Sequence, residues 1–233
     1  MSFIKLETVG KIYQSGELIV PALKNVSLEI EASSFVSFVG PSGSGKSTLL
    51  NLLGCLDQPT AGQVSINGTL VNKLNQIERA KFRGQNIGFI FQNFNLLPVL
   101  TVFENVEYPL FMVQETPREE RRKRVLNLLE KVGMLDQKDK YPNQLSGGQK
   151  QRVAVARALV TSPKVVLADE PTANLDSVTA LQVIKVLHQM RDEFGTTFVF
   201  ATHDPKIVKE AEVIYSLEDG EIKNRQTVGK GQR

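Results

Sequence analysis

The sequence predicts an α/β fold: a mainly parallel sheet, an N-terminal antiparallel β subdomain and an inserted α-helical subdomain. Three observations carry this. Phe35–Val39 is a short, continuous, apolar-rich run that stops at Gly40, as a buried central strand does. After Pro163, strand-like runs recur at Val165–Ala168, Thr197–Ala201 and Val213–Leu217, with a helical stretch at Ala180–Arg191 between the first two. From about Asn93 to Val160 the pattern changes to helices, with Asn93 and Asn95 suggesting a loop at its start.

The elements follow in order. Ile4 and Leu6, then Leu23, Val26, Leu28 and Ile30, recur largely at alternate positions, the spacing of half-buried antiparallel strands. A helix is expected from Gly45 through Leu49, Leu50, Leu52 and Leu53, and Gly62 and Gly68 bracket a short strand around Val64 and Ile66. Thr116-Pro117-Arg118-Glu119 reads as a capping box with proline at the first helical position. Beyond it Val125, Leu128, Leu129 and Val132 follow the i, i+3, i+4, i+7 rule, and Gly133 supplies a stop. The basic run Arg121–Arg124 is that helix's solvated face. Asp219-Gly220 closes a C-terminal hairpin.

Composition excludes several classes. Of 233 residues, 41% are hydrophobic and 23% charged, values that disfavour disorder, a collagen-like fibre or a disulfide scaffold. Cys55 is the only cysteine and is expected to pack as a small hydrophobe, so a reducing compartment is the easier home. No apolar run approaches the ~18 residues of a membrane helix. Met1–Lys5 lacks the basic stretch and apolar block of a secretory signal. The net charge of +3, from 28 basic and 25 acidic residues, is too balanced to argue for nucleic acid. A soluble, intracellular chain is expected.

Gly40-Pro41-Ser42-Gly43-Ser44-Gly45-Lys46-Ser47 fits G-x-x-x-x-G-K-[ST] in full, between a buried strand and a helix. In such a P-loop, glycines turn the backbone so that its amides face phosphate oxygens. The helix N-terminus adds partial positive charge, and Lys46 adds a full one at the β- and γ-phosphates. The Ser47 hydroxyl is placed to ligate Mg²⁺. The pattern names ATP-like nucleotide binding, and no reaction by itself.

Val165–Ala168 leads into two adjacent carboxylates, Asp169 and Glu170, which need a partner at the strand end. Mg²⁺ is the natural partner of Asp169, leaving Glu170 to polarise a water for in-line attack on the γ-phosphate. Leu145-Ser146-Gly147-Gly148-Gln149 precedes a helix containing Val153, Val155, Ala156 and Leu159. Read locally, Ser146 to Gln149 is a capping box with two glycines. Those glycines cost helix stability, on the order of 1 kcal/mol each. Their return is close backbone approach to an anion. A nucleotide already held by one P-loop needs no second phosphate helix, so the alternative is a nucleotide shared between two copies of the chain.

With these motifs in this order, the chain resembles the nucleotide-binding subunit of an ATP-binding cassette (ABC) transporter over nearly its whole length. The resemblance implies a single domain over 1–233, with an α/β core at about 1–92 and 161–233 and a helical subdomain at about 93–160. It implies that Gln92, after Ile90-Phe91, contacts Mg²⁺ and relays to a membrane subunit. His203, in Ala201-Thr202-His203-Asp204, matches the histidine that contacts the γ-phosphate. Asp176, in Asn174-Leu175-Asp176, falls at the dimer interface; Tyr13 stands where an aromatic stacks on adenine; and Thr48 joins the phosphate-binding residues.

Gly54-Cys55-Leu56-Asp57-Gln58-Pro59-Thr60, Phe91–Pro98, and Glu104-Asn105-Val106 followed by Pro109 resemble the macrolide-exporter and lipoprotein-releasing branch. Ala32-Ser33-Ser34 departs from that family's usual glycine-acidic turn, a change that touches no catalytic residue. The resemblance implies a head-to-tail homodimer sandwiching two ATP, and a separate integral membrane permease with an extracytoplasmic domain. It implies export or extraction of a lipoprotein, peptide or drug, at the cytoplasmic side of the inner membrane, with no nucleic acid. A non-transporting complex in cell division or antimicrobial-peptide signalling is the alternative. Phe94, Leu96 and Leu97, near Gln92, are expected to line a groove for a short cytoplasmic helix of that permease, with Phe91 buried at a strand end.

Overall fold

The computed structural model describes residues 2–16, 18–114 and 116–228. Met1 and residues 229–233 of the expected 1–233 domain lie outside them. The chain divides into two compact units, Met1–Ala80 with Thr197–Arg233, and Lys81–Thr196.

The first unit begins with β1 (Ile4–Ser15), β2 (Leu18–Ile30) and β3 (Phe35–Val39). Next come α1 (Lys46–Leu53), β4 (Ala61–Ile66) and β5 (Thr69–Leu70). Strands β2, β1, β4 and β5 form an antiparallel sheet in that order. The alternate apolar positions read from the sequence are its inner face: Ile4, Leu6, Val26, Leu28, Ile30, Val64 and Ile66 are all buried. Helix α1 turns Leu49, Leu50, Leu52 and Leu53 inward.

Helix α2 (Gln76–Asn86) follows β5 and leads into the second unit. The sequence pattern predicts no helix between the end of α1 and residue 93. Helix α2 buries none of its residues, so it has no apolar stripe to betray it. Its N-terminus is fixed instead by Asn75 and Glu78, which accept each other's backbone N–H.

The second unit contains β6 (Ile87–Ile90), α3 (Val102–Val113), α4 (Arg118–Lys131), α5 (Gly147–Leu159), β7 (Val165–Asp169) and α6 (Ser177–Phe194). Strands β6 and β7 pair in parallel, with Ile90 opposite Ala168. Helix α5 is the centre of this unit and packs on α3, α4, α6 and β6. Its Val153, Ala154, Val155 and Ala156 are fully buried.

One local expectation is corrected here. Pro117 is the N-cap of α4, in extended conformation at φ −56° and ψ 145°, and no side chain caps the helix. With ψ at 145°, Pro117 is itself outside the helix, so the cap position falls on it instead of Thr116 and the helix starts one residue later. Residues 93–101 are a loop, as Asn93 and Asn95 suggest, and α3 follows its N-cap Thr101, which with Glu104 forms a reciprocal capping box.

The chain returns to the first unit with β8 (Thr197–Ala201), α7 (Pro205–Glu210), β9 (Val213–Glu218) and β10 (Glu221–Thr227). There β3 lies between β8 and β9, parallel to both, and β10 pairs antiparallel with β9. Phe35 packs on Phe200 at 4.4 Å between ring centroids and on Phe198 at 5.8 Å, which locks β3 to β8. Burying each such ring contributes roughly 1.5–3 kcal/mol. The hairpin turn has Asp219 at φ 50° and Gly220 at φ 80°, the left-handed pair that two-residue hairpins need. The α/β class, one antiparallel sheet and one mostly parallel set, is as the sequence predicts.

Candidate nucleotide site

In the first unit, the loop Gly40–Ser47 leaves β3 and His203 follows β8 by two residues. Since Phe38 pairs with Ala201 in parallel, both exit the same end of neighbouring strands. The glycines of the loop do different work. A Cβ on Gly40, at φ 152°, would lie 2.1 Å from the Leu217 carbonyl oxygen, and one on Gly45, at φ 104°, 2.7 Å from that of Ala22. Those two seat the loop on β2 and the β9–β10 hairpin, whose Gly220 N–H donates to the Ser44 carbonyl at 3.1 Å. Gly43, at φ 80°, has nothing within 4 Å of its would-be Cβ. Its bare backbone faces open space.

Helix α1 starts without a side-chain cap or an acidic residue in its first turn. Its first-turn N–H groups have no acceptor within the helix. Lys46 Nζ donates to the Gly40 and Pro41 carbonyls at 2.8 Å each, so the ammonium is held over the loop. Pro41, Ser42, Gly43 and Ser47 are exposed, Lys46 and Thr48 half-exposed, and Ser44 buried. A turn of amides, a cation and a helix N-terminus together form an anion cradle.

Tyr13, on β1, belongs to the same unit. Its hydroxyl donates to Asp57 Oδ2 at 2.9 Å and its ring stays 39% exposed. Partial burial, then the Asp57 carboxylate, raises the phenol's pKa above the ordinary tyrosine value.

In the second unit, Gln92 follows β6 by two residues, Asp169 ends β7 and Glu170 comes next, again at one end of paired parallel strands. Glu170 stands at φ 45°, a left-handed conformation that costs a non-glycine residue about 1 kcal/mol or more. Asn174 Nδ2 donates to the Gln92 carbonyl at 2.9 Å, which ties the segment before α6 to the one after β6. Asp176 caps α6, its Oδ1 accepting from the N–H of Val178 and Thr179 at 3.0 Å each. Hydrogen bonds from Thr179, side chain first, lower its pKa. The cap is therefore intact above the usual aspartate range and is lost as pH falls through the lowered value.

Ser146 and Gln149 form the capping box of α5, with Gln149 N–H on Ser146 Oγ at 3.3 Å and Ser146 N–H on Gln149 Oε1 at 2.9 Å. Its two glycines differ. A Cβ on Gly148 would lie 2.1 Å from Thr179 Cγ2, so α6 demands that glycine. A Cβ on Gly147 would meet only Leu175, the Asn174 carbonyl and Phe94, at 3.5 Å or more. Nothing in the chain requires glycine at 147.

The sequence-predicted residues thus assemble in two sets. Tyr13, Gly40–Thr48 and His203 lie in the first unit; Gln92, Ser146–Gln149, Asp169, Glu170 and Asp176 lie in the second. Three organisers escaped the sequence reading. Arg157 of α5 donates to the Phe94 carbonyl at 2.8 Å and to that of Asn95, and its burial lowers its pKa. Buried Asn105 accepts from Leu97 N–H at 2.8 Å and donates to the Leu97, Leu100 and Thr101 carbonyls. Asp57 is the third. All make side-chain bonds to groups distant in the chain or in loops, which no periodicity announces.

The loop they hold carries Phe94, Leu96 and Leu97, the residues expected to line a groove. Phe94 and Asn95 sit at φ 60° and 48°, and Asn105 fixes Leu97 with 39% of its surface exposed. A groove in this unit, of about 290 Å³, is lined by Phe89, Phe91, Asn95, Pro109, Val113 and Arg157 among others. Phe91 is half-exposed there, one residue beyond the end of β6.

A family profile described as ABC transporter matches residues 23–173. The chain belongs to the ABC transporter family. It is the ATP-binding, ATP-hydrolysing cassette of that family. It is 49% identical over 227 residues to an uncharacterized ABC transporter ATP-binding protein, MJ0796 of Methanocaldococcus jannaschii, covering 96% of each chain. It is 44% identical to the macrolide export ATP-binding/permease protein MacB of Syntrophobacter fumaroxidans, over 95% of this chain and 31% of that protein. Among solved structures, the MJ0796 cassette in a dimeric post-hydrolysis state bound to ADP and Pi matches with a TM-score of 0.89. That match has 47% identity and covers 97% of this chain and 99% of the other.

The contrast between the cassette's two glycines is testable. Gly148→Ala should lose about 1–3 kcal/mol of stability in urea unfolding, from overpacking against Thr179. Gly147→Ala should be neutral or gain up to about 1 kcal/mol, from helix propensity. Equal losses at both sites would contradict the packing difference.

Proposed function

We propose that this cassette, acting as one domain over residues 1–233, binds and hydrolyses ATP as a head-to-tail homodimer. Each ATP would lie between the Gly40–Thr48 loop of one copy and Ser146–Gln149 of the other. The observation that carries the reading is the bare backbone at Gly147, which no neighbour in its own chain requires. A γ-phosphate brought by a second copy is the partner that requires it. MJ0796, a relative of the same length, is dimeric in its solved structures.

The roles follow. The cradle and Lys46 hold the phosphates, and Tyr13 presents its open ring to the base. Ser47, Gln92 and Asp169 offer only oxygen donors, a hydroxyl, an amide and a carboxylate, which suit Mg²⁺. When bound it would neutralise charge on the phosphate oxygens. Glu170 takes the proton of the attacking water, His203 hydrogen-bonds the γ-phosphate, and Asp176 lies at the contact between copies.

Among the described residues no helix is long and apolar enough to cross a membrane. We propose a separate membrane permease as partner, with an extracytoplasmic domain, and work at the cytoplasmic face of the inner membrane in export or extraction. The likeness to MacB, a fused ATP-binding and permease protein, supports this output. The permease would insert a short helix into the groove of Phe89, Phe91, Pro109 and Val113, next to Tyr108, Phe111 and Met112, which α3 leaves exposed.

Glu170→Gln should slow hydrolysis by at least about a hundredfold. Binding of ATP should persist, and an ATP-dependent dimer should accumulate in sedimentation. Wild-type turnover would remove Glu170 from the role of base. For the partner, Val113→Glu should stay folded and hydrolyse ATP alone, yet fail to co-purify with solubilised membranes. Leu97→Glu, outside the groove, should co-purify normally; the reverse pattern would contradict the groove assignment.

A further inference from the structure

Asp57 lies in the loop that follows α1, the helix whose first turn belongs to the phosphate cradle. That loop is rigidly joined to the helix. Gly54 N–H donates to the Leu50 carbonyl at 2.7 Å, and Leu56 and Asp57 both return to the Asn51 carbonyl, at 2.9 and 3.3 Å. Cys55 makes the reversal at φ 54° and is buried. Both oxygens of Asp57 are then spent on β1. Oδ1 accepts from Lys11 Nζ at 2.6 Å and from Gln58 N–H at 2.7 Å, while Oδ2 accepts from the Tyr13 hydroxyl at 2.9 Å.

The same short segment grips β1 twice more. Ile12 N–H donates to Thr60 Oγ1 at 3.0 Å, and Thr60 N–H donates to the Gly10 carbonyl at 2.8 Å. It does so where β1 is weakest, since its register against β2 slips between Val9 and Lys11 and again before Ile12. Lys11 Nζ lies 4.8 Å from the centroid of the Tyr13 ring and also donates to the Gln58 carbonyl at 2.8 Å. One carboxylate therefore holds the ring by its hydroxyl and the cation that stands over it.

We infer that Asp57 is a positioning residue for nucleotide binding: it couples α1 to the Tyr13 ring and so sets the distance from phosphate cradle to base platform. The inference rests on the reading of Tyr13 as the surface that stacks on adenine. With Asp57 in place, Lys11 occupies one side of the ring and the other is held ready for a base, with little orientational freedom left to lose on binding. Without it, Lys11 keeps only the Gln58 carbonyl and Tyr13 only its bond with Thr48, on a bulged strand, and the nucleotide must order more of both itself. The reaction centre is untouched, so affinity changes and chemistry does not.

The test measures steady-state ATP hydrolysis and binding of a non-hydrolysable ATP analogue for Tyr13→Ala, Tyr13→Phe, Asp57→Ala and the Tyr13→Phe/Asp57→Ala double variant. Tyr13→Ala should weaken the analogue at least tenfold; if it does not, the stacking reading fails and the inference falls with it. Asp57→Ala should raise KM about fivefold with kcat within twofold, the value of one to a few hydrogen bonds. Tyr13→Phe, which keeps the ring and loses the tether, should do part of the same, and adding it to Asp57→Ala should add almost nothing. A second readout is the phenol titration followed by absorbance, taken against Tyr13→Phe. Tyr13 should titrate above its ordinary range in the parent and shift back toward it in Asp57→Ala. A strong effect of Tyr13→Ala with none from Asp57→Ala, or an Asp57→Ala effect on kcat alone, would overturn the inference.

Discussion

A phosphate can be held by backbone N–H groups only where no side chain stands in front of them, and that constraint shapes both halves of this cassette. Gly43 in the cradle and Gly147 at the start of α5 both leave backbone uncovered, with no other segment packed against a would-be Cβ, and Gly43 needs glycine only for its own φ of 80°. Their neighbours Gly40, Gly45 and Gly148 are glycines for the opposite reason, because another segment already fills the space a Cβ needs. Packing glycines make the scaffold; open glycines make the binding surface. The rest of the structure holds these two helix N-termini rigid, through the hairpin turn under Ser44 and through Thr179 against Gly148.

The second unit shows how one element can serve several tasks. Helix α5 carries Ser146–Gln149 at its start, fills the core with its middle, and reaches the 94–95 loop with Arg157 near its end. Arg157 and Asn95 also line the groove proposed for the permease. A shift of α5 relative to that loop would alter the two carbonyls that hold the guanidinium, and with them the groove wall. Such a shared contact is the differential interaction that coupling between two ligands requires. Asn174, bonded to the Gln92 carbonyl, joins the segment ahead of α6 to the same loop.

Much of this was legible because backbone geometry leaves marks in a sequence. The strand Phe35–Val39 running into a glycine loop, the paired carboxylates after Val165–Ala168, and the Asp219-Gly220 turn each have a residue-level cause that can be read directly. Helix α2 was missed because it buries no residue, and the start of α4 was misplaced because Pro117 serves as the cap itself. The path of the 93–97 loop does not follow from periodicity, because two left-handed residues, Phe94 and Asn95, redirect the chain after Gln92. Asn105, Arg157 and Asp57 act through side-chain bonds to loop backbone or to a distant strand. Such contacts follow from tertiary placement, and no spacing rule reveals them.

The central claim is that each nucleotide is shared between the cradle of one copy and the α5 N-terminus of another. Mixing Lys46→Ala and Gly147→Asp chains tests it most directly, because a heterodimer of the two contains one site built wholly from unaltered parts. The account predicts that neither variant alone forms ATP-dependent dimers in sedimentation and that the mixture does, with ATP hydrolysis partly restored. Failure of the mixture to recover, or ATP-dependent dimers of Gly147→Asp alone, would contradict it.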